Sequence, residues 1–192
     1  MEANWLSPFD AGIVERQTGQ LITVRVRPVE QSDKVLWTHW HGELGRDADD
    51  AHWEWDRLID LALAVSDRFE MYVIECAGEF QGLRMLEVSE NEVDTYGVHA
   101  LRLSTAPWNR PPERRYSGVG SVLVSVGILR SLELGHRGEV HCESLADAAA
   151  FHQRNGMTEF DGLSTEGLRR FRFTEEAAAL FLSRLRRDGL LP

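Results

Sequence analysis

The sequence is poor in cysteine and has no long apolar run. Its two cysteines, Cys76 and Cys142, each lie in a segment that we interpret as a buried strand, which argues against the disulfide framework of a small extracellular domain. No stretch approaches the roughly 18 consecutive apolar residues of a membrane span, and the opening residues MEANWLSPFD lack the basic start and apolar core of a signal peptide. We therefore expect a soluble, cytoplasmic protein that does not associate with membranes.

Positive charge is also scarce. The chain has 21 lysines and arginines against 31 aspartates and glutamates, which gives a formal net charge of -10. Such a chain repels a polyanion at long range, so nucleic-acid binding is not expected, and an anionic cofactor would need a local basic patch. With 192 residues, 43% of them hydrophobic, and no repeat or flexible linker, the sequence predicts a single domain over residues 1–192.

Apolar periodicity predicts a mixed α/β sheet covered by helices. Residues 1–19 contain Pro8, Gly12 and Gly19 without clear periodicity, and we interpret them as an irregular lead-in. Short or alternating apolar runs predict strands at 20–29, 71–77, 80–88, 98–105, 139–142, 157–160 and 169–173. Helical spacing predicts a short helix from Ser32-Asp33 and further helices at 47–65, 119–134, 145–154 and 175–187.

The segment Gly118-Val119-Gly120 follows a strand and begins an apolar helix. Glycine permits close approach of a ligand, and the helix N-terminus supplies unpaired N–H donors and a favourable dipole, so the turn suits a pyrophosphate. Arg114 and Arg115, with Arg110 as a third, would add positive charge. A G-x-G by itself is a weak signal, because strand-to-helix turns also use glycine for purely steric reasons.

Two nucleotide-binding motifs fit this turn less well. A Rossmann turn would follow the first strand of its unit and would carry a third glycine, where this chain has Leu123. A P-loop would carry Gly-Lys-Ser or Gly-Lys-Thr, and the sequence has neither. A nucleotide-binding regulator is therefore disfavoured.

Two motifs in register resemble the GNAT superfamily of N-acetyltransferases. The cofactor motif of that family, R/Q-x-x-G-x-G/A at the start of a helix, is matched by Arg115, Gly118 and Gly120. Downstream, residues 149–157 (AAFHQRNGM) are similar to the family's A-x-F-Y-x-x-x-G-F segment. The chain departs from the family in having His152 where tyrosine is common, and in a longer loop between strand and motif.

The resemblance implies a mostly antiparallel central sheet, flanked by helices and splayed between its fourth strand (98–105) and its fifth (139–142). It implies that the pantetheine arm of acetyl-CoA, or of another acyl-CoA, lies along the fourth strand, and that the pyrophosphate sits on the amides of Val119, Gly120 and Ser121. The residues expected to bind the cofactor are Leu103, Ser104, Thr105, Arg110, Arg114, Arg115, Ser117, Gly118, Val119, Gly120 and Ser121.

The activity that the resemblance implies is direct transfer of an acetyl group to a primary amine. Small-molecule amines are favoured over protein termini or lysines, because nothing in the sequence resembles a peptide-docking insertion. The competing hypothesis is a GNAT-fold CoA-binding or regulatory module without catalysis, which the missing motif tyrosine keeps open. A homodimer is one assembly that the sequence allows.

Three residues are the catalytic candidates. The motif implies that His152 lies near the departing thiolate, where a protonated imidazole can donate a proton; the alternative is a histidine on the helix surface that bonds to solvent. Glu87, near the end of one strand, and His99, near the start of the next, could face the acceptor cleft and act as the base. Each could instead be a structural residue, with a chain of waters taking the proton.

Tryptophans are concentrated in the region that forms the acceptor side in the GNAT superfamily. Trp37 and Trp40 could bind an organic amine by stacking or cation-π contact, with His39 and His41 nearby. The alternative, which we favour, is that these tryptophans hold the first helices on the sheet. The two histidines have no third ligand at a supporting spacing, so no metal site is expected.

Trp108 and Asn109 form an unusual loop between Pro107 and Arg110. They are candidates for contacting the substrate or capping the cofactor, with Asn109 bonding to phosphate. The alternative is a rigid turn held by an anchoring aromatic side chain.

Overall fold

The computed structural model describes residues 5–43, 50–88 and 97–192. Nine strands within these ranges form one sheet in the order β6, β1, β2, β3, β4, β5, β7, β9, β8, and only β5 and β7 run parallel. The mixed, mostly antiparallel sheet predicted from the sequence is thereby confirmed. The strands are β1 (Phe9–Glu15), β2 (Leu21–Pro28), β3 (Phe69–Cys76), β4 (Glu79–Glu87), β5 (Val98–Thr105), β6 (Tyr116–Ser117), β7 (Val140–Ser144), β8 (Thr158–Leu163) and β9 (Arg169–Phe173).

Helices flank this sheet on both faces, and each face has its own apolar core. The helices are α1 (Lys34–Glu43), α2 (Trp55–Ala64), α3 (Val119–Glu133), α4 (Ala149–Arg154) and α5 (Glu175–Arg187). One core joins α3 and α5 to the sheet around Leu123 and Phe181, and the other joins α1 and α2 to it around Trp40 and Ile59. Within the described ranges, no helix is both long and apolar enough to cross a membrane.

The N-terminal segment corrects one prediction. The sequence predicts an irregular lead-in over residues 1–19, but Phe9–Glu15 forms β1, which pairs with β2 and with β6. The strand lacks alternation because Ala11, Gly12 and Ile13 are buried one after another, so both faces are covered. A side chain at Gly12 would come within 2.5 Å of the Gly189 carbonyl oxygen, which explains a glycine inside this strand.

Apart from β1 and the two-residue strand β6, the strands and helices correspond to predicted ones, several with shifted ends. β5, β9 and α5 occupy the predicted ranges, and α3 ends one residue early. The helix predicted at 47–65 begins only at Trp55; residues 47–49 of that prediction lie outside the described residues. The two-residue turn between β3 and β4 is Ala77-Gly78, and both residues have positive φ, as the right-handed twist of a tight hairpin favours.

β5 and β7 are paired only where they begin. The register contains Val98 opposite Val140 and His99 opposite His141, and beyond these two pairs the strands separate. Just beyond these pairs β5 has a bulge on its other side: Met85 of β4 faces Arg102, while the next residue of β4 faces Ala100. A bulge bends its strand and disrupts the ladder locally. β5 and β7, which are the fourth and fifth strands of the sequence prediction, therefore enclose an open fork, as the resemblance implies.

Candidate active site

The turn into α3 presents unpaired backbone amides. Gly118 has φ 90°, a left-handed conformation that glycine adopts without strain, and it caps the helix. The first bond of the helix runs from the Val122 amide to the Gly118 carbonyl at 2.9 Å, so the amides of Val119, Gly120 and Ser121 have no partner within the helix. A Cβ on Gly120 would lie 3.1 Å from the Phe151 ring, so a larger side chain would close this approach. The turn has the donors that a phosphate needs.

A cavity of about 370 Å³ lies at this turn. It is lined by Ser117, Gly118, Val119 and Gly120, by Thr105 and Asn109 on one side, and by four arginines: Arg16, Arg110, Arg114 and Arg154. Arg16, Arg114 and Arg154 are exposed and have no carboxylate partner in the part of the chain that the structure describes. They form the local basic patch that an acidic chain needs to bind an anion.

Two of the predicted arginine ligands are engaged elsewhere. The side chain of Arg115 pairs with Glu79 at 2.9 Å and does not line the cavity, so its predicted contact through the guanidinium is corrected. Arg110 lines the cavity but donates to both oxygens of Asp50, at 2.7 and 2.6 Å. Its positive charge is cancelled there, because a carboxylate faces it directly.

The Asp50 contacts anchor the end of β5. Burial acts to raise the pKa of Asp50, but the hydrogen bonds from Arg110 and Ser104 outweigh burial and lower the pKa, so the pair remains ionised. Ser104 is buried and donates to Asp50 at 2.5 Å, and the Nε of Arg110 donates to the carbonyl oxygen of Thr105 at 2.9 Å. The side chain of Ser104 is thus a structural contact, whereas Leu103 and Thr105 line the two cavities of the site.

A second cavity, of about 320 Å³, fills the fork between β5 and β7. Its walls are β4 and β5, β7, the loop before α2, helix α4 and the loop between β8 and β9. The residues are His52, Trp53, Arg84, Ala100, Leu101, Arg102, Leu103, Cys142, Glu143, Leu145, Ala148, Phe151, His152, Glu166 and Leu168. Phe151 lines both cavities, so the cavity at the amides of α3 adjoins the cavity in the fork, and we call the two together the groove.

His152 lies inside the fork, but it is not a charged acid. Its side chain is buried, its ring stacks on Phe171 with 5.4 Å between centroids, and Nδ1 is 3.8 Å from the Sγ of Cys142. Burial and the nearby charge of Arg84 lower the pKa of His152 to about 4. The imidazole is therefore neutral near pH 7, so the prediction of a protonated donor is wrong. Because the ring is buried, the alternative of a histidine on the helix surface is wrong as well.

Glu87 and His99 lie together where the fork closes. The Glu87 carboxylate accepts from the Nε of Arg68 at 2.7 Å and lies 3.3 Å from His99 Nδ1, and the His99 ring stacks on His141. Burial acts to raise the pKa of Glu87, but Arg68 and His99 outweigh it and lower the pKa, which weakens the carboxylate as a base. Neither residue lines the groove, so their catalytic roles stay predictions.

The tryptophans predicted at the acceptor side are core residues. Trp37 and Trp40 are 4% and 0% exposed, and they pack on Trp55 against the sheet, so neither presents a surface to an acceptor. The structural alternative therefore holds for both. The side chains of His39 and His41 lie outside the described residues. Trp53, by contrast, lines the fork with its ring under the Arg102 guanidinium.

The loop that contains Trp108 and Asn109 is hydrogen-bonded to β4. The indole of Trp108 donates to the side chain of Gln81 at 3.0 Å, and the Asn109 amide donates to the same oxygen at 3.1 Å. Asn109 also accepts from the Tyr116 amide at 3.1 Å, just before the phosphate turn. These bonds favour the rigid-turn alternative, and they set the position of α3 relative to β4. No group of three or more metal-ligating side chains is found among the described residues.

Sequence reasoning missed several residues of this site. Arg84 stands between apolar neighbours in FQGLRMLE, and a charge inside an otherwise buried strand is a signal that could have found it. Arg154 falls within the second motif segment, so its place near the turn could also have been expected. Arg16 gives no such signal, because only the pairing of β1 with β6 brings it to the turn.

Comparison with known proteins identifies the fold. No protein-family model matches the chain, and no curated protein matches it. Among solved structures, the GNAT domain of PAT from S. lividans is similar with a TM-score of 0.64 and 15% identity, over 85% of this chain and 96% of that one.

Two further solved structures agree. RimJ from Mycobacterium smegmatis, in complex with CoA-disulfide, has a TM-score of 0.57 and 17% identity, over 96% of this chain and 97% of that one. A chimera of the spermidine N-acetyltransferase SpeG from Vibrio cholerae with hSSAT has a TM-score of 0.58 and 18% identity, over 84% and 99% of the two chains. At these identities the likeness shows the fold, and the resemblance drawn from the two motifs is confirmed at that level.

Proposed function

We propose that this chain, which has the fold of the GNAT acetyltransferases, transfers an acetyl group from acetyl-CoA, or another acyl group from its CoA thioester, directly to a primary amine of a small molecule. One observation carries the proposal: the cavity at the turn into α3, whose first amides have no partner within the helix, adjoins the cavity in the fork between β5 and β7. A phosphate-binding end and an apolar slot beside a strand edge are what a CoA thioester requires.

The residues present fit the cofactor. The amides of Val119, Gly120 and Ser121 would hold the pyrophosphate, with Arg16, Arg114 and Arg154 supplying charge. Backbone groups of Leu103 to Thr105 would hold the pantetheine arm, except the carbonyl of Thr105, which already accepts from Arg110. The similar RimJ structure holds CoA-disulfide, which supports a CoA ligand for this fold.

The chemistry assigned to the fork is amine attack on a thioester. The amine nitrogen forms a bond to the carbonyl carbon, the carbon–sulfur bond breaks, the nitrogen loses a proton and the thiolate gains one. Glu143 and Glu166 line the fork and would attract a protonated amine before it is neutralised. His152 is neutral, so it offers one ring N–H as a hydrogen-bond donor to the thiolate, and the proton itself comes by way of water.

A CoA-binding module without turnover is the second candidate. It is favoured by the state of the candidate acid and base: His152 is neutral near pH 7, and Glu87 is held by Arg68 with a lowered pKa. A site can retain the fold and its ligand without the proton transfers that catalysis needs. Turnover separates the two candidates.

Calorimetric titration with acetyl-CoA tests the shared part of both candidates. The wild type should bind it, and Gly120→Trp should abolish binding because the new side chain would occupy the phosphate approach beside Phe151. Arg114→Gln should weaken binding by about tenfold, the worth of one hydrogen bond to a charged group. Arg115→Gln is the matched control: its guanidinium pairs with Glu79, so affinity should hold.

Loss of affinity in Arg115→Gln but not in Arg114→Gln would contradict the assignment of the cavity. No binding at millimolar acetyl-CoA would refute the function itself. Release of CoA should then be followed with a panel of amines. The panel should include polyamines such as spermidine, because one of the similar structures is named as a spermidine N-acetyltransferase. Tight binding without CoA release above background would select the binding module.

A further inference from the structure

Arg84 is a buried arginine at the back of the fork. It lies on β4, its side chain lines the fork cavity, and the residue is only 4% exposed. Within the part of the chain that the structure describes, its guanidinium has no ion pair and no hydrogen bond, and its Nε is fully buried without a partner. Arg130, the other buried arginine among the described residues, is by contrast paired with Glu70 at 2.7 Å.

Arg84 is charged at neutral pH. Burial lowers its pKa to about 10, which still leaves the guanidinium protonated near pH 7. The nearest titratable side chains supply no counter-charge: burial raises the pKa of the Cys142 thiol to about 12, and His152 is neutral. Taking a cation out of water without a partner costs several kcal/mol. A buried charge without a partner that lines a cavity is a candidate for a ligand site.

The Arg84 guanidinium lies between helix α3 and the fork. On the helix side, a Cβ on Gly127 would stand 3.5 Å from Nη2, which is an ordinary packing distance. On the other side, Arg84 lines the fork cavity together with Ala100 of β5, whose small side chain fills little of it. A ligand in the cavity can therefore approach the guanidinium from the fork.

We propose that Arg84 binds a carboxylate carried by one of the substrates within the fork. This inference rests on the proposed acyl transfer and deepens it, because it names the substrate class. A guanidinium presents its N–H donors in a planar fork that matches a carboxylate, and a desolvated site makes that pair strong. The carboxylate takes no part in bond making; it pairs with Arg84 and fixes the position of the molecule that carries it.

Two substrates could bring this carboxylate. Arg84 and His152 line the same fork cavity, which adjoins the phosphate turn, so the acyl group of a CoA thioester bound at that turn would enter the cavity of Arg84. A dicarboxylic acyl group, such as succinyl, would then place its free carboxylate on Arg84. Alternatively, the acceptor is an amino acid, whose ammonium group is attracted to Glu143 and Glu166 while its carboxylate pairs with Arg84.

The test compares charged and neutral ligands of the same shape. Calorimetry should show that the wild type binds succinyl-CoA at least about tenfold more tightly than 4-methylpentanoyl-CoA, in which an isopropyl group replaces the carboxylate. If the acceptor carries the carboxylate, the preference should appear instead in the rate of CoA release, which should be about tenfold higher with amino acids than with the corresponding carboxamides. In either arm Arg84→Met should remove the preference, and Arg25→Met, which changes an exposed arginine paired with Asp10, should keep it.

Stability gives an independent readout. Arg84→Met replaces an unpaired buried cation by an apolar side chain of similar length, so the ligand-free variant should melt at a higher temperature than the wild type. A lower melting temperature would mean that Arg84 has a structural partner, and the inference would be wrong. Equal affinity for charged and neutral ligands in both arms, or a preference that survives Arg84→Met, would also overturn it.

The outcomes separate this inference from the proposed function. If no acyl-CoA binds, the acyltransfer function fails, and the carboxylate site is then tested alone with free succinate and free amino acids. Melting of the wild type should rise in their presence, while Arg84→Met should not respond. If acetyl-CoA binds and turns over but no carboxylate is preferred, the function stands and the Arg84 site does not.

Discussion

His152 shows how the position of one residue sets its chemistry. The ring is buried beside Phe171 and the Cys142 sulfur, and the positive charge of Arg84 lies close by. Both conditions disfavour an imidazolium, so the pKa falls from 6.5 to about 4. The family resemblance locates this residue correctly in the fork, but only the surroundings reveal its protonation state.

This neutral histidine should make the folded state sensitive to acid. Between pH 6.5 and about 4 the unfolded chain binds a proton at residue 152 that the folded chain does not, so the free energy of unfolding rises with pH across this window. The contribution is fully present above 6.5 and is lost as the pH falls through about 4. Urea denaturation should show that the wild type loses about 3 kcal/mol more between pH 7 and pH 4 than His152→Phe does.

The exposed His136 provides the control for this measurement. His136→Phe makes the same substitution at an exposed histidine outside the fork, so its pH curve should differ from that of His152→Phe. Parallel curves for the wild type and His152→Phe would contradict the burial of His152 in its neutral form.

At the scale of elements, apolar periodicity predicted the strands and helices that have one buried face and one polar face. β5, β9 and α5 have one buried face and one polar face, so their ranges could be predicted from the sequence. β1 could not, because consecutive buried residues hide its alternation, and β6 has only two residues. The glycines at the start of α3 indicated the phosphate turn, which the resemblance made specific, whereas the fork was predicted from the resemblance alone. The unpaired state of Arg84 could not be predicted, since a sequence does not show which charges lack partners.

Helix α3, which carries the phosphate turn, is tied to the sheet by a buried ion pair. Arg130 of α3 donates to Glu70 of β3 through Nε at 2.9 Å and Nη2 at 2.7 Å, and the Tyr72 hydroxyl donates to the second oxygen of Glu70 at 2.5 Å. The two charged side chains are 7% and 1% exposed. Such a pair adds little net stability, but breaking it leaves one charge buried alone.

Arg130→Met should therefore destabilise the protein by about 3 to 5 kcal/mol in urea denaturation, because Glu70 loses its counter-charge. Adding Glu70→Gln should recover most of the loss, since a neutral amide can still accept from Tyr72. The exposed pair of Arg57 and Glu54 is the control, and Arg57→Met should cost well under about 1 kcal/mol. If the double variant were no more stable than Arg130→Met, the charge left on Glu70 would not be the cause.

At the scale of the whole molecule, the fork divides the sheet into two parts. β1 to β5 form one continuous antiparallel ladder, and β7, β9 and β8 form another. Within the described strands, only two residue pairs of β5 and β7 join them. The groove is thus built where the sheet is least connected, and a ligand in the fork would contact both parts at once. Local stability follows such divisions, because regions with few shared bonds open separately.

Hydrogen exchange read by mass spectrometry should detect this division. Without ligand, the amides of β7, β8 and β9 should exchange through an opening of lower free energy than those of β2, β3 and β4, since opening the smaller part breaks only one short parallel contact. Acetyl-CoA at about 100 times its Kd should raise the free energy of that opening by about 2.7 kcal/mol, because only the closed fork binds it. The Gly120→Trp protein should show the same division with no response to ligand. Equal protection of both parts in the free protein would mean that α3 and α5 couple them fully, and an unchanged opening with ligand bound would place the ligand outside the fork.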